Sequence, residues 1–234
     1  ESSIIHTAND HILYPRFEAI TYTIMYDPNG GQGETKNSSH TYDIDGYLTT
    51  NCFTRLAYTF IGWNTQADGK GISYTNEAHV KNLLSLPNGL LVLYAQWSAN
   101  IISYDVITLR TGNQKINGSG HYTDDNFSLS DSIKNYINKG YKKIKIQLKV
   151  DLKEVDNCYQ YFKLYNNGVM VQSVTKSHGG STKNTSWGSH DWDIVLSLSE
   201  LGSNSFTFRC QAENALFKDF YIGTVTAQIT VYPD

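Results

Sequence analysis

The sequence predicts a mainly β protein with an antiparallel β-sandwich in its second half. Tyrosine is unusually common, with 17 residues beside 9 Phe and 18 Gly. Tyrosine suits half-buried pleated surfaces, where the ring packs and the hydroxyl stays in water. Beyond residue 101, apolar and polar side chains alternate in several separate segments. This period of two is typical of half-buried strands.

Length and composition limit the number of domains and the classes of binding partner. A chain of 234 residues that is 40% hydrophobic can form one large domain or two ordinary ones. Its 19 basic and 22 acidic residues give no electrostatic case for binding nucleic acid or anionic lipid. No apolar run approaches the roughly 18 residues that membrane insertion requires. The opening Glu1-Ser2-Ser3 is unlike a signal peptide, so we expect an interior piece of a longer protein.

The three cysteines do not form the even, dense set that is typical of disulfide scaffolds. Cys158 and Cys210 both fall on predicted strands of the second half, so a bridge between them and buried free thiols are the two alternatives. The paired CxxC spacing of zinc sites is absent. We therefore expect no metal and no cofactor.

The first half contains strand patterns and one helix pattern. Tyr22, Ile24 and Tyr26 alternate with smaller side chains as in a half-buried strand. A second strand is predicted over 55–64, with Phe60 and Trp63 on opposite faces. Trp63 and Trp97 are predicted to be core residues. Shorter strands are expected at 72–74 and 91–96.

The helix pattern of the first half covers residues 77–86. Val80, Leu83 and Leu84 form an apolar stripe at helical spacing. Asn76 is placed to cap the start, and Pro87-Asn88-Gly89 would end the helix. The sequence thus predicts one helix covering the strands of this module.

Three motifs of the first half belong together. They are Tyr26-Asp27-Pro28-Asn29-Gly30-Gly31, Arg55-Leu56-Ala57-Tyr58-Thr59-Phe60-Ile61-Gly62-Trp63-Asn64 and Leu93-Tyr94-Ala95-Gln96-Trp97. Together they resemble the Listeria–Bacteroides repeat, also called the internalin B-type B repeat, over about residues 21–99. The resemblance implies a β-grasp-like α+β module of a bacterial surface protein, and hence an extracellular location, attached to the cell surface or secreted. Ala57 departs from the family, which usually has Gly there, so we expect ordinary β backbone at this position.

A segment near the start of the chain is similar in sequence to the last strand of the repeat. The run Leu13-Tyr14-Pro15-Arg16-Phe17-Glu18-Ala19 matches Leu93-Tyr94-Ala95-Gln96-Trp97-Ser98-Ala99 position for position. Fixed periods of this kind are typical of repeat arrays. We therefore interpret 1–20 as the terminal strand of a preceding repeat, 21–99 as a complete repeat and 100–234 as the sandwich domain. Neighbouring repeats of the same parent chain are expected partners.

The second half predicts a sandwich of jelly-roll or galactose-binding-like type. Strands are expected at 102–109, 143–150, 159–165, 169–174, 192–198, 206–212 and 224–232. One helix is predicted over 131–139, capped by Ser130 and ended by Gly140, with Ile133, Tyr136 and Ile137 facing inward.

Two patterns in the second half resemble functional sites, one for a polyanion and one for hydrolysis, but each has a simpler structural explanation. Lys143, Lys145 and Lys149 alternate on one strand, which could bind a polyanion, but a solvated outer face explains them more simply. Ser189-His190-Asp191 contains the residue types of a hydrolase triad, yet consecutive residues of a strand point to opposite faces. No nucleophile elbow, phosphate loop or zinc-protease motif occurs, so we expect a protein that is not an enzyme.

The long polar segment 176–192 is the best candidate for a site, because long loops on a rigid sandwich commonly carry function. Trp187 lies in Gly-flanked polar sequence and could stack on a sugar ring. The candidate hydrogen-bonding groups around it are His178, Asn184, His190 and Asp191. The two histidines and the aspartate could alternatively hold a metal, and a loop without a ligand, with Trp187 folded over the sandwich edge, is the third interpretation.

The sequence therefore predicts a non-catalytic module of a secreted or cell-surface bacterial protein. It would present or form an adhesion or glycan-binding domain, with a host or environmental glycan or protein as the partner. The alternatives are a purely structural spacer and accessory domains of a larger glycan-degrading enzyme.

Overall fold

The computed structural model describes residues 14–117, 120–154, 159–177, 187–213 and 219–234. They form two compact units. The first consists of Phe60–Gln96 with the described residues up to Phe53, and the second of Thr54–Thr59 with the described residues from Trp97 to Asp234. The predicted mainly β class is confirmed.

The structure describes seven strands between residues 14 and 99. They are β1 Thr21–Asp27, β2 Ser38–Thr41, β3 Gly46–Tyr47, β4 Tyr58–Asn64, β5 Ser73–Tyr74, β6 His79–Val80 and β7 Gly89–Ala99. Five of them form one sheet in the order β2-β1-β7-β4-β5, and β3 pairs with β6. The central strands β1 and β7 are parallel, whereas β2 and β5 add antiparallel to the edges.

Trp63 is the centre of the first core. Its side chain is fully buried, and its ring centroid lies 4.7 Å from Tyr26 and 4.9 Å from Phe60. The core position predicted for Trp63 is confirmed, and Trp97 is half-buried. Phe60 and Trp63 share a face, contrary to the alternation expected for them. Gly62 breaks the alternation with φ 142°, and a Cβ there would lie 2.7 Å from the carbonyl oxygen of Tyr74.

The helix predicted over 77–86 is wrong. The segment holds only the short strand β6, and the backbone of Glu77 and of Asn82 has a positive φ, which no right-handed helix allows. Asn76 does not cap a helix; its side-chain oxygen accepts the backbone N–H of Asn51 at 2.9 Å. The apolar stripe still packs, since Val80 is buried. A window this short is decided by its tertiary contacts rather than by its periodicity.

The ordinary β backbone expected at Ala57 is also wrong, because this residue has φ 60°. Two contacts hold the left-handed conformation. The carbonyl oxygen of Ala57 accepts the N–H of Asn100 at 2.8 Å, and the methyl group packs against the core of the second unit. Ala57 therefore keeps a left-handed conformation in spite of its Cβ atom.

Residues 14–20 are described without strand pairing, and Tyr14 and Phe17 are 83% and 87% exposed. Residues 1–13 lie outside the described residues. The interpretation of 1–20 as the end of a preceding repeat stays a prediction.

Among the described residues from 100 onward there are ten further strands and one α-helix. They are β8 Ile102–Ser103, β9 Ile107–Arg110, β10 Gln114–Asn117, β11 Tyr122–Ser128, α1 Ile133–Asn138, β12 Lys143–Glu154, β13 Tyr159–Asn166, β14 Val169–Ser177, β15 Trp187–Ser197, β16 Ser205–Glu213 and β17 Asp219–Tyr232. One sheet has the order β10-β17-β12-β15, with β8 and β9 also pairing with β17, and the other has the order β11-β16-β13-β14. The described pairings are antiparallel, which confirms the predicted antiparallel sandwich.

The alternation of apolar and polar residues determines which side chains form the sandwich core. Every second residue of β12, of β16 and of β17 from Val225 onward points inward. The resulting buried cluster includes Ile144, Ile146, Leu148, Val225, Ala227, Ile229, Phe206, Phe208 and Cys210. Cys210 is buried and Cys52 is exposed. Cys158 lies outside the described residues.

Helix α1 is shorter than predicted. Ser132 rather than Ser130 occupies the N-cap position, while Gly140 ends the turn with φ 86°. Ile133 and Tyr136 are buried as predicted, but Ile137 is 41% exposed.

Candidate functional site

The predicted loop is shorter than its sequence suggests, because β14 extends to Ser177 and β15 begins at Trp187. His178 and Asn184 lie outside the described residues. The backbone of Trp187 pairs with Lys153. The proposal of a ligand stacked on Trp187 therefore stays a prediction.

His190 and Asp191 lie on opposite faces of β15. His190 is paired with Val150, which is buried and faces the core. Asp191 is paired with Lys149 on the exposed face. Strand geometry thus does not bring these two predicted site residues together.

Asp191 instead lines a groove of about 550 Å³ on the outer face of the larger sheet. We call it the sheet groove. Three adjacent strands form its floor, and the segment between β8 and β9 adds one apolar side chain. The lining residues are Gln147, Lys149 and Asp151 of β12, Ser189 and Asp191 of β15, Thr224, Thr226 and Gln228 of β17, and Val106.

Strand pairing explains why these side chains meet. Lys149 stands between Asp191 on one neighbouring strand and Thr226 on the other. Gln147, two residues earlier, is likewise paired with Gln228. Paired strands lie about 4.8 Å apart, so a row of three side chains spans roughly 10 Å across the groove.

An irregularity in β17 lies at one end of the sheet groove. The register with β12 shifts between Val150 and Leu152, so that two residues of β17 oppose the single residue Asp151. Bulges of this kind bend the strand and increase its twist, which re-aims the neighbouring side chains. The sequence carried a signal for it, since Gly223 interrupts a strand pattern at this point.

The polar groups of the sheet groove have no partners among the residues that the structure describes. None of its eight polar side chains forms a hydrogen bond or ion pair with another described residue. The next pair along the same face behaves differently, because Lys145 and Asp193 form an ion pair at 2.8 Å. The donors and acceptors of the groove are therefore available to a ligand at the cost of displacing water.

The charges of the groove are mixed. Lys149 contributes one cation, while Asp151 and Asp191 contribute two carboxylates. Because Lys145 is already paired with Asp193, the row of lysines does not form a continuous basic strip. This balance disfavours a polyanion, which would meet two carboxylates for every free ammonium group.

The metal interpretation receives no support from the part of the chain that the structure describes. Those residues contain no group of three or more His, Cys, Asp or Glu side chains that could hold a metal ion. His178, one of the proposed ligands, lies outside them.

Comparison with known families confirms the resemblance found in the first half. The family model of the Listeria-Bacteroides repeat domain matches residues 22–96. Residues 22–96 are therefore a repeat of this family, and the sandwich that follows lies outside the match.

Three similar proteins are more distant. A relative from Evansella cellulosilytica, named as a membrane protein, is 30% identical over 106 residues, which are 41% of this chain and 15% of the relative. A structure of the Gt strain of infectious bursal disease virus has a TM-score of 0.40 at 8% identity and covers 80% of this chain and 57% of its own. A family 35 carbohydrate binding module from Clostridium thermocellum has a TM-score of 0.27 at 20% identity and covers 56% of this chain and 91% of its own.

Because the chain spans only 15% of that relative, the activity of the whole protein is a matter for proposal. Among the described helices, none is long and apolar enough to cross a membrane.

Proposed function

We propose that this chain is a non-catalytic module of a bacterial surface protein, in which the sandwich binds a neutral glycan in the sheet groove. The module would act outside the cell, displayed on the surface or secreted. The match of residues 22–96 to a repeat family supports the display role. The binding role is supported by the groove itself.

The observation that carries the binding role is the set of polar side chains in the groove that have no partner among the described residues. Sugar hydroxyls both donate and accept hydrogen bonds, and the groove offers the matching groups: carboxylates that accept, an ammonium group that donates, and amides and hydroxyls that do both. A neutral ligand also avoids the repulsion that a polyanion would meet from Asp151 and Asp191.

The exposure of the two carboxylates supports binding rather than hydrolysis. Asp191 is exposed and Asp151 is half-buried. A glycosidase needs one carboxyl group kept protonated by shielding from water, and an open groove supplies no such shielding.

The test is a glycan screen of the full chain followed by isothermal titration. Asp191→Ala should weaken binding about tenfold or more, because a hydrogen bond to a charged group contributes about 1.5–3 kcal/mol. Asp193→Ala is the matched control, since Asp193 lies on the same strand and face but outside the groove. We expect less than a twofold effect from it.

Three results would contradict the proposal. Binding unaffected by Asp191→Ala would place the site elsewhere. The release of reducing sugar from a bound oligosaccharide would make the module an enzyme. No binding in the screen would favour the second candidate, a structural spacer, for which the repeat at residues 22–96 is the supporting observation.

A further inference from the structure

The smaller sheet of the sandwich exposes a second surface, on the side away from the core. Strand pairing places Tyr122, Gln211 and Tyr161 in one row across β11, β16 and β13. The next row along these strands is Asp124, Arg209 and Lys163, and Tyr165 follows on β13. We call these seven residues the tyrosine face.

The side chain of Arg209 is fixed in the middle of the tyrosine face. Its Nε and Nη2 donate to the two carboxylate oxygens of Asp124 at 2.7 and 2.8 Å. The guanidinium group also stacks on the ring of Tyr122, 3.7 Å from the centroid, and lies 5.0 Å from that of Tyr165. A guanidinium held by two hydrogen bonds and two rings loses little freedom when a ligand binds.

Lys163 lies beside Arg209 and Asp124 and forms no ion pair with a described carboxylate. Its ammonium group donates to the side-chain oxygen of Gln211 at 2.9 Å and lies 5.5 Å from the ring of Tyr161. No described carboxylate lies within ion-pair distance of it. Lys163 and Arg209 are directly paired across the strands. Like charges in this position repel each other.

The tyrosine face therefore carries two cations and one carboxylate, which is a net positive charge of one. Both oxygens of Asp124 accept from Arg209, and no described carboxylate pairs with the neighbouring Lys163. A second carboxylate placed over Lys163 would neutralise the remaining charge and relieve the repulsion between the cations.

The tyrosines supply the other half of a binding surface. Tyr122 is 52% exposed, whereas Tyr161 and Tyr165 are half-buried. None of the three hydroxyls forms a hydrogen bond to another described residue. Exposed rings with free hydroxyls offer an apolar face for the C–H groups of a sugar and polar edges for its hydroxyls.

We propose that the tyrosine face binds acidic glycans, with Tyr161 and Tyr122 contacting the sugar rings and Lys163 binding the carboxylate of a uronic acid. The site is separate from the sheet groove, which lies on the other sheet and has the opposite excess charge. A sugar carboxylate fits better than an acidic peptide, because the ligand must cover flat aromatic rings beside the cation as well as neutralise it.

The probes are an oligomer of galacturonic acid and its full methyl ester, which keeps the backbone and removes the charge. Titrated into the full chain at low salt, the acid should bind at least tenfold more tightly than the ester. Lys163→Met should abolish that preference, and Tyr161→Ala should weaken the binding of both probes about tenfold.

Two substitutions serve as controls. Lys143→Met removes a lysine from the outer face of the larger sheet, and Asp191→Ala alters the sheet groove; neither should change galacturonate binding by more than twofold. Thermal unfolding of each variant confirms that the fold is kept. The proposal is overturned if the acid does not bind, if the ester binds equally well, if Lys163→Met keeps the preference, or if an oligomer of glutamate binds as tightly as the galacturonate.

Discussion

Arg110 and Asp125 form a bidentate ion pair inside the sandwich. Nε of Arg110 donates to Oδ2 of Asp125 at 3.0 Å, and Nη2 lies 2.8 Å from Oδ1. The Asp125 side chain is 7% exposed and that of Arg110 is 16% exposed. The pair joins β9 of one sheet to β11 of the other. Arg110 also donates to Thr123 and Gln114, so a small polar network connects the two sheets.

Removing one partner of this pair should be costly. Asp125→Ala leaves the guanidinium of Arg110 largely buried without its counter-ion, and we expect a loss of about 3–5 kcal/mol in the free energy of unfolding. Asp193→Ala, which breaks the exposed pair with Lys145, should cost less than about 1 kcal/mol. Urea unfolding of both variants measures the difference, and equal losses would show that burial of the Arg110 pair does not matter.

Ala57→Gly should stabilise the protein. An L-residue in the left-handed conformation costs about 1–2 kcal/mol, which glycine avoids. The lost methyl contact and the greater freedom of glycine in the unfolded chain offset part of this gain, so we expect a net stabilisation of about 0.5 kcal/mol.

Ala99→Gly is the matched control for that substitution. Ala99 is exposed at the end of β7, where glycine should destabilise by roughly 0.5–1 kcal/mol. Denaturant midpoints give the sign for each variant. A loss of stability in Ala57→Gly would mean that the methyl contact outweighs the strain.

Acidification should weaken the fold through His40. Burial lowers the pKa of this side chain below its usual 6.5. Its ring stacks on Tyr22, and Nε2 lies 2.9 Å from the hydroxyl of Ser38. The unfolded chain therefore binds a proton at a higher pH than the folded chain does. Stability is complete above about pH 6.5 and decreases as the pH falls towards the lowered pKa.

The measurement is the free energy of unfolding from pH 8 to pH 5 for the wild type and for His40→Gln. The substitution should reduce the slope in this range, whatever it does to the stability at pH 8. An unchanged slope would assign the pH dependence to another group.

Substitution of Asn64 should destabilise the first unit more than substitution of most of its other polar residues. Its fully buried amide accepts the N–H groups of Gln66 and Gly71 at 2.8 and 3.0 Å. It also donates to the carbonyl oxygens of Gly69 and Gly71 and to the hydroxyl of Ser73. One side chain thus bonds four residues of the turn between β4 and β5.

Asn64→Ala should cost about 2–4 kcal/mol, because several backbone groups of the turn lose their partner at once. Asn100→Ala removes a single exposed side-chain hydrogen bond, to Thr59, and should cost less than about 1 kcal/mol. Thermal unfolding compares the two. A small loss at Asn64 would mean that water replaces the amide.

Short-range patterns in the sequence predicted much of the fold. The inward positions of β12 and β17 follow from an alternation visible in eight consecutive residues, and the core position of Trp63 follows from its aromatic surroundings. The helix expected over 77–86 failed because Glu77 and Asn82 take left-handed backbone conformations that depend on distant contacts.

The sheet groove could not be predicted in this way. It requires Gln147, Asp191 and Thr226 to become neighbours, and that depends on the register of three strands far apart in the chain. Among the predicted site residues, Asp191 lines the groove, and its neighbours there could not be chosen from local sequence patterns.

The parallel pairing of β1 with β7 has a mechanical consequence. Six successive residue pairs, from Tyr22 with Gly89 to Asp27 with Tyr94, connect the first and last strands of the repeat. Because these strands run in the same direction, a pull on the start of β1 and the end of β7 drags them past each other lengthwise. The interstrand hydrogen bonds then share the load together instead of opening one at a time. A repeat built in this way resists extension by flow or by a moving attachment point, which a hairpin of the same length would not.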